Sequence, residues 1–168
     1  MRQKSYTAEG FLSLILLITS IFVNLISTLL QVIVFPYLII RFRTLILDIV
    51  RFKRLLTIVI YFVAIINVLL PIAGVLNLYF FLAVRGLGFI ALGMLLLIEW
   101  RRQTWLLRSI NIVILLIGSF FIYESLFFTY PVQSFLSMMK SNLIYMSVRG
   151  LVMLMFYFLL AVFFYKAK

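Results

Sequence analysis

Long apolar runs separated by short polar strips divide this chain along its whole length. Two runs, at 11–40 and 55–84, each hold 30 residues, and two more follow at 109–130 and 143–165. A helix rises about 1.5 Å per residue, so roughly 20 apolar residues cross the hydrocarbon core of a bilayer. The pattern predicts an all-α integral membrane protein that forms a single membrane domain over 1–168.

The prolines divide these runs into five predicted spans. Pro36 removes a backbone donor and predicts the end of the first span. Pro71 and Gly74 predict a turn that divides the second long run into a hairpin of two spans, and the polar segment 131–142 predicts a loop. The five spans are expected at about 11–36, 55–71, 75–98, 109–130 and 143–165.

The segment at about 37–54 has a different pattern from the spans around it. Arg41, Thr44, Asp48 and Arg51 recur at helical spacing, opposite a face of large apolar residues. Such a pattern is typical of an amphipathic helix that lies in the plane of the membrane interface. We therefore expect one interfacial helix between the first and second spans.

The composition supports a membrane protein and excludes a water-soluble globule. Hydrophobic residues make up 67% of the chain and charged residues only 11%, and the mean hydropathy is +1.28. Soluble domains carry about 25% charged residues. The chain has too few charged groups to cover a surface that faces water.

The charge balance predicts the orientation in the membrane. The 15 Lys and Arg against four Asp and Glu give a net charge of +11, and the basic residues gather in strips between the spans, which favours contacts with lipid phosphates over nucleic acid. Ten of them lie in the segments predicted to be cytoplasmic and three on the other side. The positive-inside rule then predicts an outside N-terminus and a cytoplasmic C-terminus. The predicted headgroup-binding residues are Arg41, Arg43, Arg51, Lys53, Arg54, Arg101, Arg102 and Arg108.

Three charged residues fall inside predicted spans. Arg85, Glu124 and Arg149 each lie 14 to 17 residues from the cytoplasmic boundary of their span. At the helical rise, all three are expected about 21–25 Å above that boundary, at one depth in the membrane. A buried unpaired charge costs roughly 2.5–3.5 kcal/mol, so Glu124 is expected to face one or both arginines. The surplus positive charge could then hold an anion, whereas arginines near the outer boundary could instead reach the headgroups.

Two sets of small and polar residues predict helix-packing surfaces. On the first span, the spacing places five polar residues on one helical face. In lipid, such a face is expected to hydrogen-bond to another helix, either of this bundle or of another chain. On the third span, small residues form a groove that permits close helix approach. The predicted surfaces consist of Ser13, Ser20, Asn24, Ser27 and Gln31, and of Ala83, Gly86 and Gly93.

A short motif suggests an internal repeat. Val84-Arg85-Gly86-Leu87 recurs 64 residues later as Val148-Arg149-Gly150-Leu151. Each copy lies in the second arm of a predicted hairpin, so duplication of a hairpin would explain the match, and chance is the alternative explanation. A duplication of this kind would give parallel repeats.

The residue types argue against most enzyme chemistry. The chain has no Cys and no His, the usual sources of a thiolate, a metal ligand or a general base. It contains no phosphate-binding glycine loop and no nucleophile elbow, and its four carboxylates are at least 25 residues apart. We expect no catalytic residue, no metal and no cofactor.

These patterns favour a non-enzymatic integral subunit or assembly factor of a larger membrane complex. One alternative is a small oligomeric transporter or channel for an anion or amphiphile, with Arg85 and Arg149 lining the path. A second is a lipid-acting enzyme or scramblase. The expected partners are other membrane proteins or further copies of the chain, together with anionic lipids. The lack of a cleavable signal or transit peptide favours a multi-pass protein of the bacterial plasma membrane.

Overall fold

A computed structural model describes residues 7–166 of the chain, except 22–24, 77 and 128–134. In these residues it has helices and short links and no strand. The helices are α1 (Thr7–Ile21), α2 (Leu25–Ile46), α3 (Lys53–Leu76), α4 (Leu78–Ile98), the 3-10 turn η1 (Trp100–Arg102), α5 (Trp105–Phe127) and α6 (Phe135–Lys166).

Three of these helices are long and apolar enough to cross a membrane. They contain the segments Phe80–Ile98, Trp105–Leu126 and Ser147–Lys166, of 19, 22 and 20 residues. At about 1.5 Å per residue, each segment reaches the roughly 30 Å of a hydrocarbon core. The described residues confirm the all-α prediction, and three helices of this length and composition support a membrane protein.

The first apolar run forms two helices where the sequence predicts one span. Glu9, near the start of α1, bonds Arg41, near the end of α2, with 2.7 Å between Arg41 Nη2 and Glu9 Oε1. The two helices therefore run in opposite directions, and residues 9 and 41 lie at the same end of the molecule. The continuous span at 11–36, with its ends on opposite sides, is wrong. A run of 30 residues is longer than one membrane crossing requires, and the two antiparallel helices accommodate that length.

Residues 37–54 do not form the separate interfacial helix that the sequence predicts. Helix α2 continues through Pro36 to Ile46, a turn follows at 47–49, and α3 begins at Lys53. Leu38, Ile39 and Phe42 are fully buried in the core, so this part of α2 belongs to the bundle. A proline inside a membrane helix is tolerated where neighbouring groups compensate for the lost hydrogen bond.

Two further boundaries differ from the predicted ones. Helix α3 continues past Pro71 to Leu76, and α4 begins at Leu78, so residues 71–74 lie within α3 and do not form the predicted turn. Helix α6 begins at Phe135 and has 32 residues, and it includes most of the segment predicted as a polar loop at 131–142. Residues 131–134 of that loop lie outside the described residues.

A layer of aromatic rings joins four helices in the middle of the core. The Phe35 ring of α2 lies 6.0 Å from the rings of Phe89 in α4 and Phe156 in α6. Phe89 in turn lies 5.9 Å from Phe121 in α5, and Tyr157 lies 6.3 Å from Phe35. Tilted and edge-to-face ring pairs at these distances are favourable. This layer fixes the positions of α4, α5 and α6 next to their charged residues.

Candidate functional site

Glu124 of α5 and Arg149 of α6 form an ion pair inside two candidate membrane spans. Arg149 Nη1 lies 2.7 Å from Glu124 Oε1, and the Glu124 side chain is 5% exposed. At this distance the contact is a charge-assisted hydrogen bond. The structure thus brings together two of the three intramembrane charges that the sequence singled out.

Arg85 of α4 contacts an aromatic ring instead of the carboxylate. Its Cζ lies 4.0 Å from the centroid of the Phe121 ring, and Arg149 Cζ lies 5.7 Å from the same ring. A guanidinium near a ring face is attracted by the ring quadrupole. Within the described part of the chain, Arg85 has no ion pair, and its buried Nε has no hydrogen-bond partner. The cluster therefore joins two cations, one carboxylate and a ring, Phe121, that the sequence did not single out.

The space beside the ion pair is narrow. It is lined by apolar side chains around Arg149 and has no volume that a water molecule could occupy. The neighbours are Ile117, Phe120, Phe121, Val152 and Met153. As described, the cluster is a packed structural contact between helices, with no open path beside Arg149.

Glycines bring α4 and α5 into direct backbone contact. A Cβ at Gly86 would lie 2.9 Å from the carbonyl oxygen of Gly118, and a Cβ at Gly118 would lie 3.0 Å from that of Gly86. At Gly93 an added Cβ would overlap the Leu115 side chain. The predicted groove of α4 is thus filled by α5, while Ala83 is half-buried. Gly118 is the counterpart that sequence analysis missed.

Asn111 of α5 adds a polar contact to this helix pair. The residue is fully buried, and its side-chain amide lies 2.9 Å from the carbonyl oxygen of Gly93 and 3.3 Å from the backbone nitrogen of Leu97. With the amide group oriented to satisfy both, Asn111 donates to the first and accepts from the second. A single Asn in a run of Ile, Val and Leu was the sequence signal for this contact.

The polar residues predicted to share one face of the first span do not lie on one helix. Ser13 belongs to α1, is fully buried and donates a hydrogen bond to the Glu9 carbonyl at 2.9 Å. Ser20 also lies in α1, whereas Ser27 and Gln31 lie in α2, which runs the opposite way. The side chains of Ser20, Ser27 and Gln31 lie outside the described residues, as does the whole of Asn24. The common face required one continuous helix, so that prediction is wrong.

The opposite end of the bundle from the charge cluster carries most of the basic residues. There, Glu9 is 2% exposed and accepts hydrogen bonds from Arg41 Nε at 2.7 Å and from the Tyr37 hydroxyl at 3.3 Å. The Cβ position of Gly10 lies against the Tyr165 ring. These contacts hold together the start of α1, the end of α2 and the end of α6, and we call this part of the molecule the basic end.

Glu99 connects two of the links at the basic end. It is 4% exposed, and its carboxylate lies 3.5 Å from Arg51 Nε and 3.7 Å from Arg102 Nε. The backbone nitrogen of Arg51 also donates to Glu99 at 3.3 Å. The link between α2 and α3 is thereby fastened to the link between α4 and α5.

The other predicted headgroup residues also lie at the basic end. Arg43 Nε donates to Thr57 Oγ1 at 2.9 Å, and Lys53 Nζ lies 3.6 Å from Asp48 Oδ1. Arg54 is exposed. A groove between α2 and α3 is lined by Arg43, Lys53, Arg54 and Thr57.

Two contacts of basic residues with tryptophan lie at the same end. Arg108 Nε donates to the Trp100 carbonyl at 3.0 Å, and its guanidinium lies 5.4 Å from the Trp100 ring. Lys166 Nζ lies 5.4 Å from the Trp105 ring. Arg101 is exposed. Tryptophan and basic residues are typical anchors at a membrane interface.

Every carboxylate side chain of this protein lies in an ion pair. The chain has four Asp and Glu residues, and each lies 2.7–3.7 Å from an Arg or Lys nitrogen. Among the described residues, no group of three or more His, Cys, Asp or Glu could hold a metal ion.

Comparison of the chain with protein-family models, with curated proteins and with solved structures finds no match.

Proposed function

We propose that this protein is a non-enzymatic integral subunit or assembly factor of a larger membrane complex. The observation that carries the proposal is the pairing of all four carboxylates with cations of the same chain. A general acid or base must reach the reacting group. Glu9, Glu99 and Glu124 are instead buried, and each joins two elements of the fold. These ionisable groups therefore serve assembly of the bundle.

The proposed topology has three helical hairpins with both termini in the cytoplasm of a multi-pass protein of the bacterial plasma membrane. The contact between Glu9 and Arg41 supports it, because it places the start of α1 beside the end of α2. Outside the spans, twelve basic residues then share the cytoplasmic side and Lys140 lies opposite, a stronger bias than the ten against three of the five-span topology. The twelve are Arg2, Lys4, Arg41, Arg43, Arg51, Lys53, Arg54, Arg101, Arg102, Arg108, Lys166 and Lys168.

The face of α6 around Gly150 is the proposed docking position for a helix of another membrane protein. Gly86 and Gly150 occupy the same place in the repeated motif, and Gly86 is buried against α5. Around Gly150, in contrast, no described residue outside the adjoining backbone of α6 lies within 4 Å of an added Cβ, and Val148 and Leu151 beside it are 43% and 65% exposed. Small residues on a membrane helix let a partner helix approach closely.

Purification of the tagged chain in mild detergent tests this proposal. We expect a foreign membrane protein to copurify in a stoichiometric amount, as quantified by mass spectrometry. Gly150→Leu should remove that protein and leave the melting temperature of the chain alone unchanged, because none of the described residues of other helices packs against this position. Met155→Ala, at an exposed position of α6 more than one helical turn away from Gly150, is the control for a general change of the helix surface and should leave the copurification unchanged.

A small oligomeric transporter for anions is the second candidate. The buried Nε of Arg85, which has no partner in the described part of the chain, favours it. A homogeneous homo-oligomer that contains no foreign protein in the same purification would support this candidate and contradict the first.

A further inference from the structure

A groove at the basic end combines concentrated positive charge with an apolar wall. It lies between the end of α2 and the start of α3 and has a volume of about 530 Å³. The lining residues are Arg43, Leu47, Lys53, Arg54, Thr57 and Ile58. We propose that this groove binds the phosphate headgroup of an anionic phospholipid.

The charges of the groove match such a headgroup. Three cations line it, and Asp48, which is 92% exposed, pairs with only one of them, Lys53. Two positive charges remain for an anion. Phosphate groups of lipids attract basic residues near the membrane surface, and a guanidinium can bind two phosphate oxygens at once.

Arg43 is held in place before any ligand binds. Its Nε donates to Thr57 Oγ1 at 2.9 Å, and its guanidinium lies 5.7 Å from the Tyr61 ring. The Thr57 hydroxyl itself donates to the Lys53 carbonyl at 2.7 Å. The Nε contact leaves the two terminal nitrogens of Arg43 for a phosphate, and an ordered side chain loses less entropy on binding.

The surface next to the groove favours a lipid over a free anion in solution. Ile58 lines the groove and is 64% exposed, and Phe62 and Ile65 follow it on the outer face of α3 with 40% and 55% exposure. Spacings of four and three residues place these side chains on one helical stripe. A phospholipid could therefore keep its phosphate in the groove while its acyl chains lie along this stripe.

Lipid titration of the purified full-length chain, read out by native mass spectrometry, tests the proposal. We expect dioleoylphosphatidylglycerol to bind more tightly than zwitterionic dioleoylphosphatidylcholine. Arg54→Gln should weaken the first binding event of the anionic lipid roughly fivefold. Arg101→Gln removes the same charge from an exposed position of the basic end outside the groove, and it should change the affinity less than about twofold.

Thr57→Val separates positioning from charge. This variant keeps the net charge but removes the acceptor that holds Arg43, and it should weaken lipid binding roughly twofold to tenfold. Equal losses in Arg54→Gln and Arg101→Gln, with no loss in Thr57→Val, would overturn the proposal, because binding would then follow overall charge. Displacement of the lipid by an equal concentration of inorganic phosphate would assign the groove to a free anion. Displacement by a glutamate-rich peptide would assign it to a protein partner.

Discussion

Glu124→Gln is expected to destabilise the folded chain by about 3–5 kcal/mol, the usual cost of breaking a buried ion pair. The substitution leaves Arg149 without its partner at 2.7 Å. It also removes the one carboxylate near two guanidiniums that flank the Phe121 ring. Reversible unfolding in a single mixed detergent system measures the loss as a free energy.

The double variant Glu124→Gln with Arg149→Gln tests the cause of this loss. If the pair carries the effect, the double variant should be more stable than Glu124→Gln alone, because no stranded charge remains. Arg85→Gln serves as the matched control. Arg85 contacts Phe121 and forms no ion pair within the described residues, so its coupling to Glu124 should be smaller. Additive effects of Glu124 and Arg149 would show that the two side chains act independently.

Gly118→Leu should give the second large effect, a loss of about 1–3 kcal/mol or more from overpacking. A side chain at this position would enter the backbone contact between α5 and α4, where an added Cβ already lies 3.0 Å from the Gly86 carbonyl oxygen. Backbone atoms cannot move aside as a side chain can. The two helices would have to separate along their contact.

Gly150→Leu is the matched control for this prediction in the isolated chain. It makes the same substitution in α6, but at a position where no described residue of another helix lies within 4 Å of the added Cβ. We expect a change of less than about 0.5 kcal/mol. Equal destabilisation by both substitutions would mean that the loss comes from glycine itself and not from the contact between α4 and α5.

The sequence predicted which charged residues lie within the spans and that they share one depth in the membrane. Charges within apolar runs are costly, and counting residues from the span boundaries placed Glu124 and Arg149 at one level. The same count placed Arg85 there too, but it could not show which ring or carboxylate each arginine meets. Side-chain direction depends on how each helix is rotated about its axis, and Phe121 resembles every other apolar residue of its run.

The first hairpin could not be predicted by the same reasoning. The length of the run at 11–40 fits either one tilted helix or two shorter antiparallel ones, and the residues between α1 and α2 include no Gly or Pro to mark a turn. The contact between Glu9 and Arg41 decides between them, and it joins residues 32 positions apart. Local spacing patterns along the sequence cannot reveal a contact between residues so far apart.

The partners of the small residues were missed for a related reason. Gly86 and Gly93 repeat at heptad spacing and so stood out, whereas Gly118 and Asn111 are single residues in an apolar run. Their importance comes from facing α4. A periodic pattern identifies one side of a helix pair, and the structure supplies the other.

We propose that the helices form three hairpins, with the start of α1 and the end of α6 at the basic end. The chain has no native cysteine, so single cysteines at Ser5, Gln133 and Ala167 can be labelled without background by a membrane-impermeant maleimide. In intact cells we expect labelling at position 133 only, with positions 5 and 167 labelled once the membrane is permeabilised. Labelling of position 5 from outside, with position 167 protected, would contradict the three-hairpin topology and indicate an odd number of spans.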